Sequence, residues 1–486
     1  MDEFTWILTT SLFFADLAIR IVLSLRVIMR KRAPSVSFAW LAVILLFPFI
    51  GAVVYLLFGE YRLGERRAQH LLKGRSLIKE WSSAPRNTAP IDWDSINPEC
   101  IPLDRQIIAT LGIPTIPGNQ LQLIDTSTTF FDRLLEDVRR ANSTCYFEFY
   151  ILHEAGRVKE LLDALLEARQ RDVTCRLLLD SIGSRKFLRS KTAARMRQGG
   201  VEVAEALPAS LMHVPFVRID LRNHRKLAII DGEIAYTGSQ NLVDPRYFKQ
   251  DGGYGQWIDT MVRVTGPVVE LLTAVFMFDW LLESNKRLPD YTGITNIHPV
   301  DPTGEALVQL ALSGPGYGED TIHNLLLTTI YAARRELVLT SPYFVPDNAI
   351  LAALKSAAQR GVAVTIIVPE KNNSKLVHYA SRARFDTLSK AGVRIMTFTG
   401  GLLHAKTITV DRDFCLFGSV NLDMRSFWLN FEMTLFIYNK DFTCQVRALQ
   451  QKYIEGATAH DSESFAARSY GQRLLENFAL LLGPLL

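Results

Sequence analysis

Cysteine is scarce and irregular in this chain. Five thiols in 486 residues, Cys100, Cys145, Cys175, Cys415 and Cys444, form an odd set with no CxxC spacing. That excludes a disulfide framework and a cysteine-based zinc site, and leaves small core residues or free thiols. HExxH is absent, as is the spacing of a His/Asp triad, so neither a metal nor another cofactor is expected. A concentrated basic tract is also missing. With 54 Lys and Arg against 50 Asp and Glu, the net charge is +4, which removes nucleic acid as the first partner and mildly suits an anionic surface. Nor is a cleavable leader expected: the N-terminus is acidic, with Asp2 and Glu3, and no small-residue cleavage site precedes the second apolar stretch.

What the chain has in excess is apolar character, 48% of residues with a mean hydropathy of +0.10, high for a soluble enzyme. Two stretches carry it, Phe4 to Leu25 and Phe38 to Phe58. Each is long enough as a helix to cross about 30 Å of hydrocarbon, so two membrane-spanning helices are expected. Asp16 and Arg20 stand at i, i+4, where they can pair and lessen the cost of burial in lipid; an interfacial or re-entrant first segment is the alternative. Two spans put Met1 and the rest of the chain on one side. Arg30, Lys31 and Arg32 between the spans oppose Arg62, Arg66, Arg67, Lys73 and Arg75 after them, so the positive-inside rule pulls both ways; the side taken is the cytoplasmic one.

Two later segments are nearly the same sentence. His224-Arg-Lys226-Leu-Ala-Ile-Ile-Asp231 and His404-Ala-Lys406-Thr-Ile-Thr-Val-Asp411 each run, six residues past the Asp, into Gly238-Ser239-Gln240-Asn241 or Gly418-Ser419-Val420-Asn421. At residue frequencies of about 2 to 7 per cent, two chance copies of six fixed residues are effectively excluded. In a strand, His and Lys at i and i+2 emerge side by side. A second strand, Ile234 to Thr237 or Phe414 to Phe417, then delivers a turn whose Ser239 and Asn241, or Ser419 and Asn421, can donate to an anion. Imidazole, ammonium and neutral donors together suit a phosphate, and a doubled set suits a phosphoryl group passing between two partners in line. Asp231 and Asp411 start tight turns at strand ends. A carboxylate would repel a phosphate, so they are read as structural.

Around the motifs the chain repeats itself. Residues 1–60 hold the apolar segments, and 61–102 are a basic flank and a Pro-rich linker from Ser82 to Pro102. Residues 103–290 and 291–486 are two similar halves. Helices and strands alternate in each, from Thr129 to Leu179 before the first motif and from Thr321 to Phe398 before the second. The expected fold is therefore α/β, two sandwich-like halves related by a pseudo-two-fold, with the membrane helices ahead of them. Other candidates have bland readings: His153, His213 and His378 as surface or satisfied core histidines, and Gly400-Gly401 as a plain turn, with a close pass of backbone near the phosphate the alternative. Leu474 to Leu486 is apolar on most faces and suits either a core contact or lipid.

These residues resemble the HKD motifs of the phospholipase D superfamily, and within it the bacterial cardiolipin synthases. Arg222 to Lys226, Gly418 to Phe427 with Leu429 to Glu432, Ser341 to Asp347 and Trp257 to Asp259 are all similar to stretches of that group, and the resemblance covers nearly the whole chain. It implies that His224 is the nucleophile and His404 the general acid, a distinction the residues alone leave open. It also places an acid after each GSxN turn to orient a histidine. Glu432 fits in the second half, 28 residues past its histidine. Asp259 is the best match in the first, 35 residues past, which points to an insertion over Val243 to Gln256. The resemblance further implies an enzyme of the bacterial inner membrane. Phosphatidylglycerol would serve as both donor and acceptor through a phosphatidyl-histidine, giving cardiolipin and glycerol. A hydrolytic phospholipase D and a superfamily nuclease are the alternatives.

Overall fold

The computed structural model describes residues 3–30, 34–60, 62–83, 90–208, 218, 220–284, 297–318, 320–460 and 468–481. Asp2, Lys31, Arg32, Pro85, His213 and the ending past Leu481 lie outside them. The chain divides into two compact units, Met1–Ala68 with Ala209–Leu221, and Gln69–Pro208 with Arg222–Leu486.

The first unit holds three helices, α1 (Glu3–Met29), α2 (Pro34–Leu46) and α3 (Ile50–Phe58). The two expected spans are not found: among the described residues no helix is long and apolar enough to cross a membrane. The second run is broken at Pro48 and at Phe49, whose φ is 51°. Its pieces of 13 and 9 residues extend only about 20 and 14 Å at 1.5 Å per residue. The first run is long but carries the expected ion pair, Arg20 Nε to Asp16 at 2.6 Å. That pair is tied to the break, because Asp16 accepts the Phe49 N–H at 2.9 Å and Arg20 donates to the Leu45 carbonyl at 2.7 Å. A small core of Leu23, Val27, Ile44, Ala52 and Tyr55 joins the helices. Glu60, buried, accepts from Arg26, Arg62 and Tyr55. Most of the large apolar side chains on α1 face outward, including Phe4, Trp6, Phe13, Phe14, Val22 and Met29.

In the second unit seven strands repeat with one register. The first set is β1 (Ile116–Ile124), β2 (Thr144–Phe149), β3 (Thr174–Asp180), β4 (Glu202–Ala206), β5 (Lys226–Ile230), β6 (Ile234–Gly238) and β7 (Met261–Thr265). The second is β8 (Ala306–Ser313), β9 (Glu336–Thr340), β10 (Ala363–Pro369), β11 (Arg394–Phe398), β12 (Thr407–Val410), β13 (Phe414–Gly418) and β14 (Asn430–Tyr438); β15 (Ala457–Ala459) follows. They lie in one sheet in the order β15-β11-β10-β9-β12-β13-β14-β8-β1-β7-β6-β5-β2-β3-β4. Read outward from the antiparallel β1–β8 pair, the two arms match strand for strand.

Helices repeat likewise. α4 (Ser127–Arg140), α5 (Arg157–Gln170), α6 (Lys191–Gln198) and α7 (Val268–Glu283) answer to α8 (Thr321–Ala332), α9 (Asn348–Gln359), α10 (Lys375–Ser389) and α11 (Lys440–Glu455); α12 (Tyr470–Leu481) closes the described chain. On α4 the Thr126 hydroxyl caps the helix by accepting the Thr129 N–H. Its apolar stripe, Phe130, Phe131, Leu134 and Val138, packs with Leu161 and Leu165 of α5 over the fully buried β2. Such i, i+4 spacing and an apolar central strand are what a helix-covered sheet requires. Cys145 and Cys175 face each other across β2 and β3 as free thiols. The expected linker is not wholly irregular, since a helix begins within it at Cys100.

The two motif aspartates do the same structural work in each arm. Asp231 accepts the backbone N–H groups of Asn142, Ser143 and Thr144 at 2.8–2.9 Å. Asp411 accepts those of Arg334, Arg335 and Glu336 at 2.7–2.9 Å. Both have positive φ, 56° and 53°. Each thus ties the turn after its motif strand to the chain entering β2 or β9. Burial pushes the Asp231 carboxyl up, but these amides hold it below the usual carboxylate range. Asp411→Asn keeps an acceptor but loses the charge, and is expected to reduce stability by about 1–3 kcal/mol, read as a lower denaturation midpoint. Turnover by the folded fraction should stay near that of the parent; a fully stable, inactive variant would contradict the structural role.

Candidate active site

Lys226 opens β5, and His224 precedes it by two residues, so both fall on one face as the period-two pattern requires. The ammonium of Lys226 donates to the carbonyl of His224 at 2.6 Å, and Lys406 does the same to His404 at 2.6 Å. All four side chains are buried.

Ahead of each histidine is a two-residue strand that pairs in parallel with the opposite half. Arg222–Asn223 runs alongside Asn430–Phe431, and the His224 N–H donates to the Phe431 carbonyl at 2.9 Å. Leu402–Leu403 runs alongside Trp257–Ile258, and the His404 N–H donates to the Ile258 carbonyl at 2.7 Å. The residue after each ladder is an acid. Glu432 therefore meets Nδ1 of His224 with both oxygens at 2.8 Å, and Asp259 meets Nδ1 of His404 at 2.6 Å. The sequence offsets of 28 and 35 count each acid from the histidine of its own half, whereas each acid binds the histidine of the other. An ionised carboxylate only accepts, so Nδ1 carries the proton and Nε2 keeps its lone pair.

The serine and asparagine positions fall differently from the phosphate-donor expectation. Ser419 donates to Glu432 at 2.6 Å and accepts the Met433 N–H at 3.0 Å, so its hydroxyl proton is committed to the acid. Ser239 accepts the Thr260 N–H at 2.9 Å and helps hold the Asp259 carboxyl down. Asn421 donates to Ser426, which in turn donates to Glu432. Asn241 accepts the Ile151 N–H at 3.1 Å, and its Nδ2 is buried with no hydrogen-bond partner among the described residues. Gly418 is small for a packing reason, since a Cβ there would lie 2.3 Å from the Met433 carbonyl oxygen. Gly401 likewise has φ 141°, and a Cβ there would lie 2.6 Å from the Gln256 oxygen. It admits the crossing Trp257–Ile258 strand, in place of the phosphate passage expected of it.

Sequence reasoning missed several neighbours. Tyr150 and Tyr343 stand edge-on to His224 and His404, and Trp257 lies 4.4 Å from His404. Under His224 lies a buried polar network. Asn223 donates to Glu148 at 2.6 Å, while Arg225 pairs with Asp279 and donates to the Tyr317 hydroxyl at 3.2 Å. Burial, with Asp279 nearby, pushes the Glu148 carboxyl well above its ordinary range. The positions answering to Asn223 and Arg225 in the second half are Leu403 and Ala405. An acid inside the otherwise apolar β2 was the available signal. His153 packs on Phe248 and His378 on Tyr379; burial lowers both imidazoles.

Burial also sets the charge state of the site. It pushes the His224 and His404 imidazoles down to about 4, aided by Lys226 and Lys406 and opposed by the two acids. Desolvation pushes Lys226 down to about 8 and Lys406 to about 7. Burial raises Asp259 and Glu432, yet the histidines and lysines facing them hold both below the usual range. Near pH 6 the free site thus holds two neutral imidazoles, two ammonium groups and two carboxylates. Such a set can receive an anion, attack it through one Nε2 and take up a proton on the other.

A family model described as cardiolipin synthase, PLD-like domain, matches residues 134–279 and 326–453, and one described as phospholipase D-nuclease N-terminal matches 18–60. Proteins named cardiolipin synthase A from Edwardsiella ictaluri and from Yersinia pseudotuberculosis are each 43% identical over 463 residues, covering 95% of both chains. Among solved structures, a phosphatidylserine synthase from Haemophilus influenzae superposes with a TM-score of 0.61 at 16% identity, over 79% of this chain and 99% of that one. The last of these speaks to the fold.

The crossed pairing has a direct test in double-mutant cycles on thermal stability. His224→Ala and Glu432→Gln should be coupled by about 0.5–3 kcal/mol, whereas His224→Ala and Asp259→Asn should add with a much smaller remainder. The reverse pattern would mean that each acid serves its own half.

Proposed function

The chain belongs to the cardiolipin synthase family of PLD-like proteins and is an enzyme of that kind, and we propose on that premise that it transfers a phosphatidyl group from one phosphatidylglycerol to another. The observation that carries the reading is the pair of histidines, each held on Nδ1 by an acid from the opposite half. His224 attacks phosphorus through Nε2, and protonated His404 gives its proton to the departing glycerol oxygen. Neutral His404 then takes the proton from the free glycerol hydroxyl of a second phosphatidylglycerol, whose oxygen displaces His224 and forms cardiolipin. One phosphodiester replaces another, so no nucleotide is consumed.

Hydrogen bonding to the acids supports this order. Glu432 accepts from Ser419, Ser426, Asn430 and His224. Asp259 has fewer donors: it accepts from His404 on one oxygen, and the Ser239 hydroxyl helps hold it down. A carboxylate already shared among four donors stabilises an imidazolium less than one that depends on its histidine. His404 is thus the better proton carrier and His224 the better nucleophile. Lys226, Lys406 and the Asn241 amide are the proposed phosphate donors, with Asn421 beside them. Ser239 and Ser419 act by holding the acids.

The free site sums to zero charge, and the phosphodiester adds one negative charge. One proton taken up on His404 restores the balance, and the bound anion raises the imidazole pKa in the required direction. The outward apolar side chains of α1, α2 and α3 support a seat for the first unit in the lipid interface.

Purified protein given phosphatidylglycerol should release glycerol and cardiolipin with no nucleotide, and His224→Ala should abolish both the product and the trapped phosphatidyl adduct. Phosphatidic acid as the main product would select hydrolysis. As pH rises through about 7 to 8 the lysines lose their charge, so kcat/KM should fall there. Bound phosphate raises the lysine pKa values, so kcat should fall at higher pH than kcat/KM. Coincident alkaline limbs would count against lysine contact with the phosphate.

A further inference from the structure

α12 leaves an apolar stripe exposed. It buries Glu476 and Ala479 and exposes Tyr470, Leu474, Leu475, Phe478 and Leu481, with Tyr470 83% and Leu481 76% accessible. Tyr470, Leu474, Phe478 and Leu481 follow i, i+4, i+8, i+11 and so form one stripe. Glu476 is held inward by ion pairs with Arg468 and with Arg382 of α10. Ala479 and Leu480 meet Val345, Val377, Ala380 and Tyr343, and Tyr343 stands edge-on to His404. The helix therefore sits two contacts from the candidate acid histidine with its apolar stripe turned away from the protein.

We propose that α12 is a membrane-contact surface of the catalytic unit, laying this stripe into the interface of a bilayer containing anionic phospholipid beside the His404 side of the site. Arg473 on the rim of the stripe and Lys375 at the start of α10, both exposed, supply the charge that an anionic surface complements, and long basic side chains can keep their heads at the headgroup level. An apolar helix face with a basic rim is the pattern of interfacial helices. The inference rests on the lipid-substrate reading above only for its purpose; contact with the bilayer is measured separately.

The test uses the full chain with Cys444→Ser and Phe478→Cys, labelled with an environment-sensitive fluorophore, and a matched protein labelled at Phe13→Cys. Both are mixed with phosphatidylglycerol and phosphatidylcholine vesicles. A blue shift of the position-478 label on adding vesicles, with quenching by brominated acyl chains, is expected. A shift at position 13 without one at 478 overturns the α12 surface and leaves the membrane seat of the first unit standing. No shift at either position overturns both. Blue emission at 478 before vesicles are added means that the stripe is already covered; concentration dependence of that emission would assign the cover to a second copy, its absence to the last residues of the chain. Leu474→Asp with Phe478→Asp should slow turnover on vesicles while sparing turnover on detergent-dispersed substrate; equal loss on both would also count against the proposal.

Discussion

Two carboxylates cross from one half of the sheet to the histidine of the other, and the geometry of the site depends on that crossing. The parallel ladders Arg222–Asn223 with Asn430–Phe431 and Leu402–Leu403 with Trp257–Ile258 carry each acid to its partner. They can form only because β1 and β8 join the two arms into one sheet. An isolated half would hold a histidine and a lysine without the carboxylate that fixes the imidazole tautomer. The repeat is thus a shared site by construction, since each half completes the other.

Burial then makes the charge balance strict. Removing two imidazoles from water favours their neutral form, and removing two ammonium groups brings their pKa values to about 7 and 8. The acids stay ionised because the lysines and histidines face them. Among these six groups, a phosphodiester meets no excess positive charge until a proton arrives with it. Anion binding and formation of the acid histidine are accordingly one event in the proposed transfer, a link that solvent screening would dissolve at an open surface.

Much of this was legible in the chain. The doubled motif, the repeat and the restraining part played by Asp231 and Asp411 follow from spacing and from the chemistry of a carboxylate near a phosphate. The crossing did not, because sequence offsets measure distance along a half and the ladders run between halves. Two strands were also hidden, the central β1 and the terminal β4. Ile116–Ile124 contains Pro117 and Gly118, and Glu202–Ala206 is rich in charge, so neither resembles a strand in isolation. The N-terminal runs misled for the opposite reason: composition counts apolar residues but not the break at Pro48, where tertiary bonds from Asp16 and Arg20 fasten the chain. Ser239 and Ser419 were assigned to the substrate because the groups they bind, the Thr260 backbone and the Glu432 carboxylate, lie 21 and 13 residues further along the chain.

A symmetric fold faces a reaction that is not symmetric, since one histidine must attack while the other carries a proton. The structure departs from its pseudo-two-fold where that difference has to arise. Around His224 the polar residues Asn223 and Arg225 engage Glu148, Asp279 and Tyr317, whereas Leu403 and Ala405 surround His404 with apolar groups. Glu432 is shared among four donors, and Asp259 leans on His404. On the other flank of His404, the longer connection before Asp259 brings in Trp257, with Lys249 over its indole at 5.9 Å. Each departure acts on proton affinity through hydrogen bonding or solvation, the two influences a repeat can vary without moving its catalytic atoms. The identical HxKxxxxD sentences therefore supply the reacting groups, and the residues between and behind them supply the difference that the proposed chemistry needs.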